Sequence, residues 1–167
     1  RLGTNSNKLP VGYLAAEFLE STIGADTIDS GIIANAQTGT YILHEYVSFD
    51  VYNHIFSSTD FFSSHYNRSG SNKILANRFS SEARMPMTLQ LGKKYESRLN
   101  WLGNGLSEYD GQSSECIAGT TYTNTSLKFF SYSNSLPSYV RIFKAAVSQG
   151  AQITNEWVPA IAPDGRS

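Results

Sequence analysis

The residues with most chemical promise are Glu108 and Asp110, in the run Glu108-Tyr109-Asp110. Side chains alternate along an extended chain, so two carboxylates two positions apart point to one face. Glycoside hydrolysis uses such a pair, held roughly 5–10 Å apart across a sugar. No third carboxylate continues the pattern here. The residues that follow, Gly111-Gln112-Ser113-Ser114, read as a loop. A solvated turn is the simpler reading, and no catalytic residue is assigned. His44-Glu45 begins like the zinc motif HExxH, but position 48 is Ser and the motif belongs on a helix. His44, His54 and His65 lie ten or eleven residues apart, so only strand register could bring them together, and strand-face or surface histidines are the expectation. No GxSxG elbow, P-loop or GxGxxG is present. Cys116 is the single cysteine, without a disulfide or CxxC partner, and reads as an inert buried thiol. Asp26 and Asp29 do not amount to a calcium loop. The expectation is a non-enzyme with no metal and no cofactor.

A binding surface is what remains. Sugar recognition needs a flat aromatic ring for the C–H face of the sugar, with amides, carboxylates or guanidinium groups for its hydroxyls. The segment Asn100–Asp110 has that composition: Trp101, Asn104, Tyr109 and Asp110 surround a Gly103-Asn104-Gly105 turn. Tyr66 and Arg68, beside another Gly turn, are candidates to join them. Each has a plainer alternative. Trp101 could plug the core at a strand end, and the second loop could be an ordinary hairpin end. Trp157, before Val158-Pro159, reads as core.

The elements that must position these residues read as strands. Of 167 residues only 16% are charged, against about 25% in an average soluble domain. Ser, Thr and Asn take up the difference, and their side chains compete with backbone hydrogen bonding in helices. Thr40–Tyr52 is the clearest strand, with Tyr41, Leu43, Val47, Phe49 and Val51 on the expected buried parity and His44, Ser48 and Asp50 on the other; Glu45 on the first and Ile42 and Tyr46 on the second depart from the pattern. Met87–Leu91, Leu127–Tyr132, Arg141–Val147, Ile153–Val158 and Ile28–Ile33 supply five more. Asn67–Asn72, Gly103–Gly105, Asp110–Ser114 and Ser133–Ser138 read as loops, where Gly and Asn tolerate positive φ. Leu14–Glu20 has helix formers but is short, and Ala76–Arg84 is ambiguous. Many short strands without long helices predict an all-β, two-sheet antiparallel sandwich with very little helix. Residues 1–9 read as a linker or the end of a preceding segment, and 10–167 as one domain. The chain opens on Arg1, so a processed product or excised piece is expected. A net charge of −1 supplies no basic field, so nucleic acid is not an expected partner. No apolar run reaches the roughly 18 residues of a membrane-spanning helix, and membrane insertion is not expected.

Two blocks carry a resemblance. Phe18–Ile32, FLESTIGADTIDSGI, is similar to the YLESTGTQYIDTGI-like signature of LamG-like, concanavalin A-like jelly-roll domains. Leu9-Pro10 and Gly12-Tyr13 resemble that family's lead-in. Arg141–Pro159 resembles its closing stretch, in which a strand, a turn and a second strand lead to a Pro. The first block carries one extra residue around Ile23–Ala25, Ala145 stands where a large aromatic is common, and the family continues beyond the equivalent of Ser167. The resemblance therefore implies a last strand that this sequence lacks or that is supplied from elsewhere. Such domains are common in phage tail and head fibres and in surface proteins of gut bacteria. The resemblance implies a concanavalin A-like jelly roll. It also implies a receptor- or glycan-binding module at a virion, extracellular or cell surface. The partners would be a cell-surface glycan or receptor, neighbouring virion or surface proteins, or both, with a homotrimer as in fibres. A structural decoration or assembly module is the alternative, and a glycoside hydrolase a minor one, since hydrolases of this fold carry a fuller carboxylate strand. Fold alone does not choose among these.

Overall fold

The computed structural model describes residues 9–21, 27–49, 53–58, 62–65, 88–116, 126–130 and 139–164. They form an all-β, two-sheet antiparallel sandwich. The larger sheet runs β12 (Gln152–Trp157), β11 (Val140–Gln149), β4 (Thr38–Tyr46), β7 (Lys94–Leu99), β8 (Leu106–Tyr109), β9 (Gln112–Glu115), with β2 (Leu19–Glu20) pairing β11. The smaller runs β3 (Ile28–Ile33), β10 (Ser126–Phe129), β5 (Asn53–Ser57), β6 (Phe62–His65). A short ribbon pairs β1 (Leu14–Ala15) with β13 (Ala160–Ile161). Among the described residues the helical content is one 3-10 turn, Trp101–Gly103.

The two sheets meet through apolar side chains. Phe56 of β5 and Phe129 of β10 stack at 4.3 Å, and Trp157 of β12 meets them edge-on at 6.0 and 5.4 Å. Ile55 and Leu127 from one sheet and Ile42, Val140 and Val147 from the other are fully buried. Removing each such side chain from water contributes about 1.5–3 kcal/mol. Trp157 is thus core, as expected, and Cys116 is buried.

On β4 the expected faces are reversed. Ile42, His44 and Tyr46 are buried, at 0–1% exposure. Tyr41 and Leu43 lie half-buried on the outer face. The reason lies in the neighbours. The inward row sits opposite Ser97 and Tyr95 of β7 and Ala145, Ile142 and Val140 of β11, all buried. Both parities of β4 carry bulky apolar groups, so hydrophobicity alone did not choose between them, and a one-residue error inverts every side chain.

Three other expectations change. Within Met87–Leu91, Leu91 makes an isolated bridge to Tyr46, and the neighbouring strand is Lys94–Leu99. There Tyr95, Ser97 and Leu99 face inward while Lys94, Glu96 and Arg98 face out. Asp110–Ser114 is no loop: Asp110-Gly111 is a two-residue hairpin turn and Gln112–Glu115 a strand. Both turn residues have positive φ, at 45° and 84°, as that tight turn requires. Leu14–Glu20 holds two short strands and no helix. Asn67–Asn72, Ala76–Arg84 and Ser133–Ser138 lie outside the described residues.

Candidate functional site

The outer face of the larger sheet positions the candidate site. Between β7 and β8 the chain turns through Asn100–Gly105. Asn100 adopts a left-handed conformation, φ 45°, which Asn tolerates. Its side chain is 8% exposed and holds both sides of the turn: Nδ2 donates to the Thr38 carbonyl at 3.2 Å and Oδ1 accepts from the Gly105 N–H at 2.9 Å. Leu102 is also left-handed, φ 55°, which is strained for a residue with a Cβ, and its N–H donates to Ser148 Oγ at 3.1 Å. The turn lies directly on β4. A Cβ added at Gly39 would meet the Asn100 carbonyl oxygen at 2.3 Å and Ser148 Oγ at 2.5 Å.

This turn presents Trp101, partly exposed, against Tyr41 of β4. Their ring centroids are 5.7 Å apart at 45°. Register puts Arg98 of β7 beside Tyr41 and Glu108 of β8 beside Arg98. The Tyr41 hydroxyl donates to Glu96 Oε1 at 3.0 Å, Arg98 Nη2 donates to Glu96 Oε2 at 2.8 Å, and the guanidinium lies 5.4 Å from the Tyr41 ring centre. Partial burial, and the carboxylate of Glu96 next to it, push the Tyr41 hydroxyl up to about 12, so it stays a neutral donor. Asn104 is exposed, and its Nδ2 donates to Glu108 Oε2 at 2.9 Å while Oδ1 caps the Leu106 N–H at 3.0 Å. A shallow pocket opens beside this group, lined by Glu96, Arg98, Glu108 and the Tyr109–Ser113 stretch.

Of the expected site residues, Trp101 and Asn104 stand on one turn with their polar neighbours. Asp110 lies at the pocket but in the hairpin turn, paired with Lys93 Nζ at 2.7 Å. It therefore does not continue the strand face that carries Glu108. Tyr109 is corrected: its side chain is wholly buried. It stacks on Tyr95 at 5.3 Å, its hydroxyl lies 3.3 Å from His44 Nε2, and it donates to the Tyr46 hydroxyl at 3.4 Å. The parity that turns Glu108 outward turns its neighbour inward. Tyr66 and Arg68 lie outside the described residues. His44 is a strand-face histidine, as one of the two expectations had it, but on the buried face and not at the surface. Burial pulls its pKa down to about 3, so it is neutral within this hydroxyl cluster.

Tyr41, Glu96, Arg98 and Asn100 were not singled out from the sequence. Reading β4 in the opposite parity would have exposed Tyr41, and Lys94–Leu99 has the alternation that turns Glu96 and Arg98 outward.

The far end of the same face is closed by its own contacts. Arg141 pairs with Glu20 and, at 2.7 Å, with Glu45, and lies 4.6 Å over the Phe18 ring. Lys94 lies 3.9 Å over Phe143, which meets Phe18 edge-on at 5.8 Å. These rings are covered by cations of the same chain. At the Trp101 end Arg98 lies in the same way over Tyr41, and Trp101 and Tyr41 are half-buried like Phe18 and Phe143.

No family model, curated protein or solved structure matches this chain.

Proposed function

We propose that this chain is a non-enzymatic binding module that holds a glycan or glycosylated receptor on the outer face of its larger sheet. The observation carrying this reading is the Asn100–Gly105 turn. It is strained at Leu102, pinned by Asn100 and Ser148, and presents Trp101 beside Tyr41 and the Glu96–Arg98 pair. Rigid turns on a sheet scaffold are common places for binding residues. A partly exposed indole with amide, carboxylate and guanidinium groups around it matches what a sugar ring offers. The resemblance of Phe18–Ile32 and Arg141–Pro159 to LamG-like jelly rolls supports the same reading, and with it a place on a phage fibre or a bacterial surface protein.

The experiment is a glycan array and a cell-binding assay on the whole chain, with Trp101→Ala beside it. The expected result is binding that Trp101→Ala removes while the circular dichroism spectrum is unchanged. Binding equal in both proteins would remove the assignment.

A second reading, an assembly module that contacts its own virion or surface proteins, is favoured by a different observation. Val11, Leu14 and Val158 are 57–101% exposed around the β1–β13 ribbon. Apolar side chains gathered at one end suit a protein contact. A stable trimer, or co-purification with a shaft protein without glycan binding, would favour it. The glycoside hydrolase reading is tested by turnover on a glycan panel with Glu108→Gln as control, and lack of any turnover ends it.

A further inference from the structure

We infer that the pocket that shares Glu96 and Arg98 with the Tyr41–Trp101 group selects neutral glycans and rejects those carrying carboxylate or sulfate groups; this rests on the glycan-binding reading. The pocket wall holds three carboxylates, Glu96, Glu108 and Asp110, and Glu115 stands on the same outer face of the hairpin, opposite Leu106. The cations beside them among the described residues are Arg98 and Lys93. Each already lies against a carboxylate: Arg98 at 2.8 Å from Glu96, and Lys93 at 2.7 Å from Asp110. An anionic sugar would have to draw a cation from its partner and expose that carboxylate to the like charge it brings. A neutral sugar needs no such exchange. Its hydroxyls donate, and carboxylate oxygens are the strongest acceptors for them. Asn104 adds an amide that both donates and accepts. The ring face then lies on the Trp101–Tyr41 pair, which carries no formal charge. A like charge about 5 Å from a carboxylate weakens binding roughly four-fold when fully screened by bulk water, and more at the lower effective dielectric of a protein surface, so at least about ten-fold is expected between the two ligand classes.

The test is calorimetry on the whole chain with matched ligands: lactose and xylo-oligosaccharides against sialyllactose and glucuronate-substituted xylo-oligosaccharides. The neutral member of each pair is expected to bind at least about ten-fold tighter. Glu108→Gln is expected to narrow that ratio at least three-fold. Acidic members that bind as tightly as neutral ones, through a site lost in Trp101→Ala, would overturn the selectivity and leave the glycan-binding reading standing. A ratio unmoved by Glu108→Gln would overturn the role given to the carboxylates. Absence of binding by either set would overturn both readings together.

Discussion

The two faces of β4 use the same residue type for opposite ends. Inward, Tyr46 joins Tyr95 and Tyr109 around His44, with all four fully or almost fully buried. Outward, Tyr41 meets Trp101 and keeps its hydroxyl on Glu96, within reach of solvent. The inner cluster pairs its hydroxyls internally. The Tyr109 hydroxyl meets both the Tyr46 hydroxyl and the His44 ring, and the Tyr95 hydroxyl accepts the Gln90 N–H at 2.8 Å. Buried hydroxyls paired this way fix packing, because losing such a bond costs the desolvation of both groups. The outer group keeps amide, carboxylate and guanidinium groups at the surface, where water or a ligand can exchange. A tyrosine-rich composition is therefore no index of binding capacity; the face decides.

The comparison breaks most readily on the inner side. Tyr109→Ala should cost about 3–5 kcal/mol of stability, the range for emptying a large buried aromatic site. Trp101→Ala should cost about 0.5–1.5 kcal/mol, the value of an aromatic pair. Urea unfolding of the two proteins measures the contrast, and equal losses would mean that the outer pair is as structural as the inner cluster.

Gly39→Ala comes next, because its Cβ would press on the Asn100 backbone. A loss of about 1–3 kcal/mol is expected, the usual range for overpacking. It should be accompanied by a change in Trp101 fluorescence, since the pinned turn has to shift.

Acid sharpens the contrast further. His44 and His54 are held by burial at about 3 and about 4, below the ordinary 6.5. In the unfolded chain they bind protons first as pH falls. Their contribution is therefore full above pH 6.5 and is lost progressively as pH falls toward the folded values. The slope approaches about 1.4 kcal/mol per pH unit for each histidine. Stability measured by urea at pH 7, 6 and 5 should fall along that slope, and His44→Gln should flatten it by about half.

The smallest effect is expected of Tyr41→Phe. It removes one half-buried hydroxyl bond to Glu96, worth about 1 kcal/mol or less. Glycan affinity should move more than the unfolding midpoint does, because Glu96 and Arg98 lose their fixed relation to the ring.

How much of this was legible in the sequence depends on how local the deciding physics is. Ile28–Ile33 and the β11–β12 hairpin were readable because β-branched runs bounded by Gly and Pro report directly on backbone conformation. So was the buried state of Trp157. Lys94–Leu99 was overlooked because its apolar residues are only Tyr95 and Leu99, with Ser97 between them on the inward row. Asp110-Gly111 is a strong hairpin signal, and the Ser residues beyond it disguised the strand that follows. At the candidate site, Trp101 and Asn104 stood out by type. Asn100 did not, because its importance lies in the Thr38 carbonyl, which is distant in the chain and close in space.

By itself, then, the sequence determined the all-β class, the positions of β3, β4, β10, β11 and β12 and the Gly103–Gly105 turn, since alternation, low charge and Gly/Asn clusters act over a few residues. Tertiary structure alone decided which face of β4 is inside. It also put Tyr109 in the core and Glu108 on the surface, and brought Tyr41, Arg98 and Trp101 together. The physical reason is that burial belongs to the pairing of strands far apart in the chain. When both parities of a strand are bulky enough to be core, only the opposing sheet selects between them.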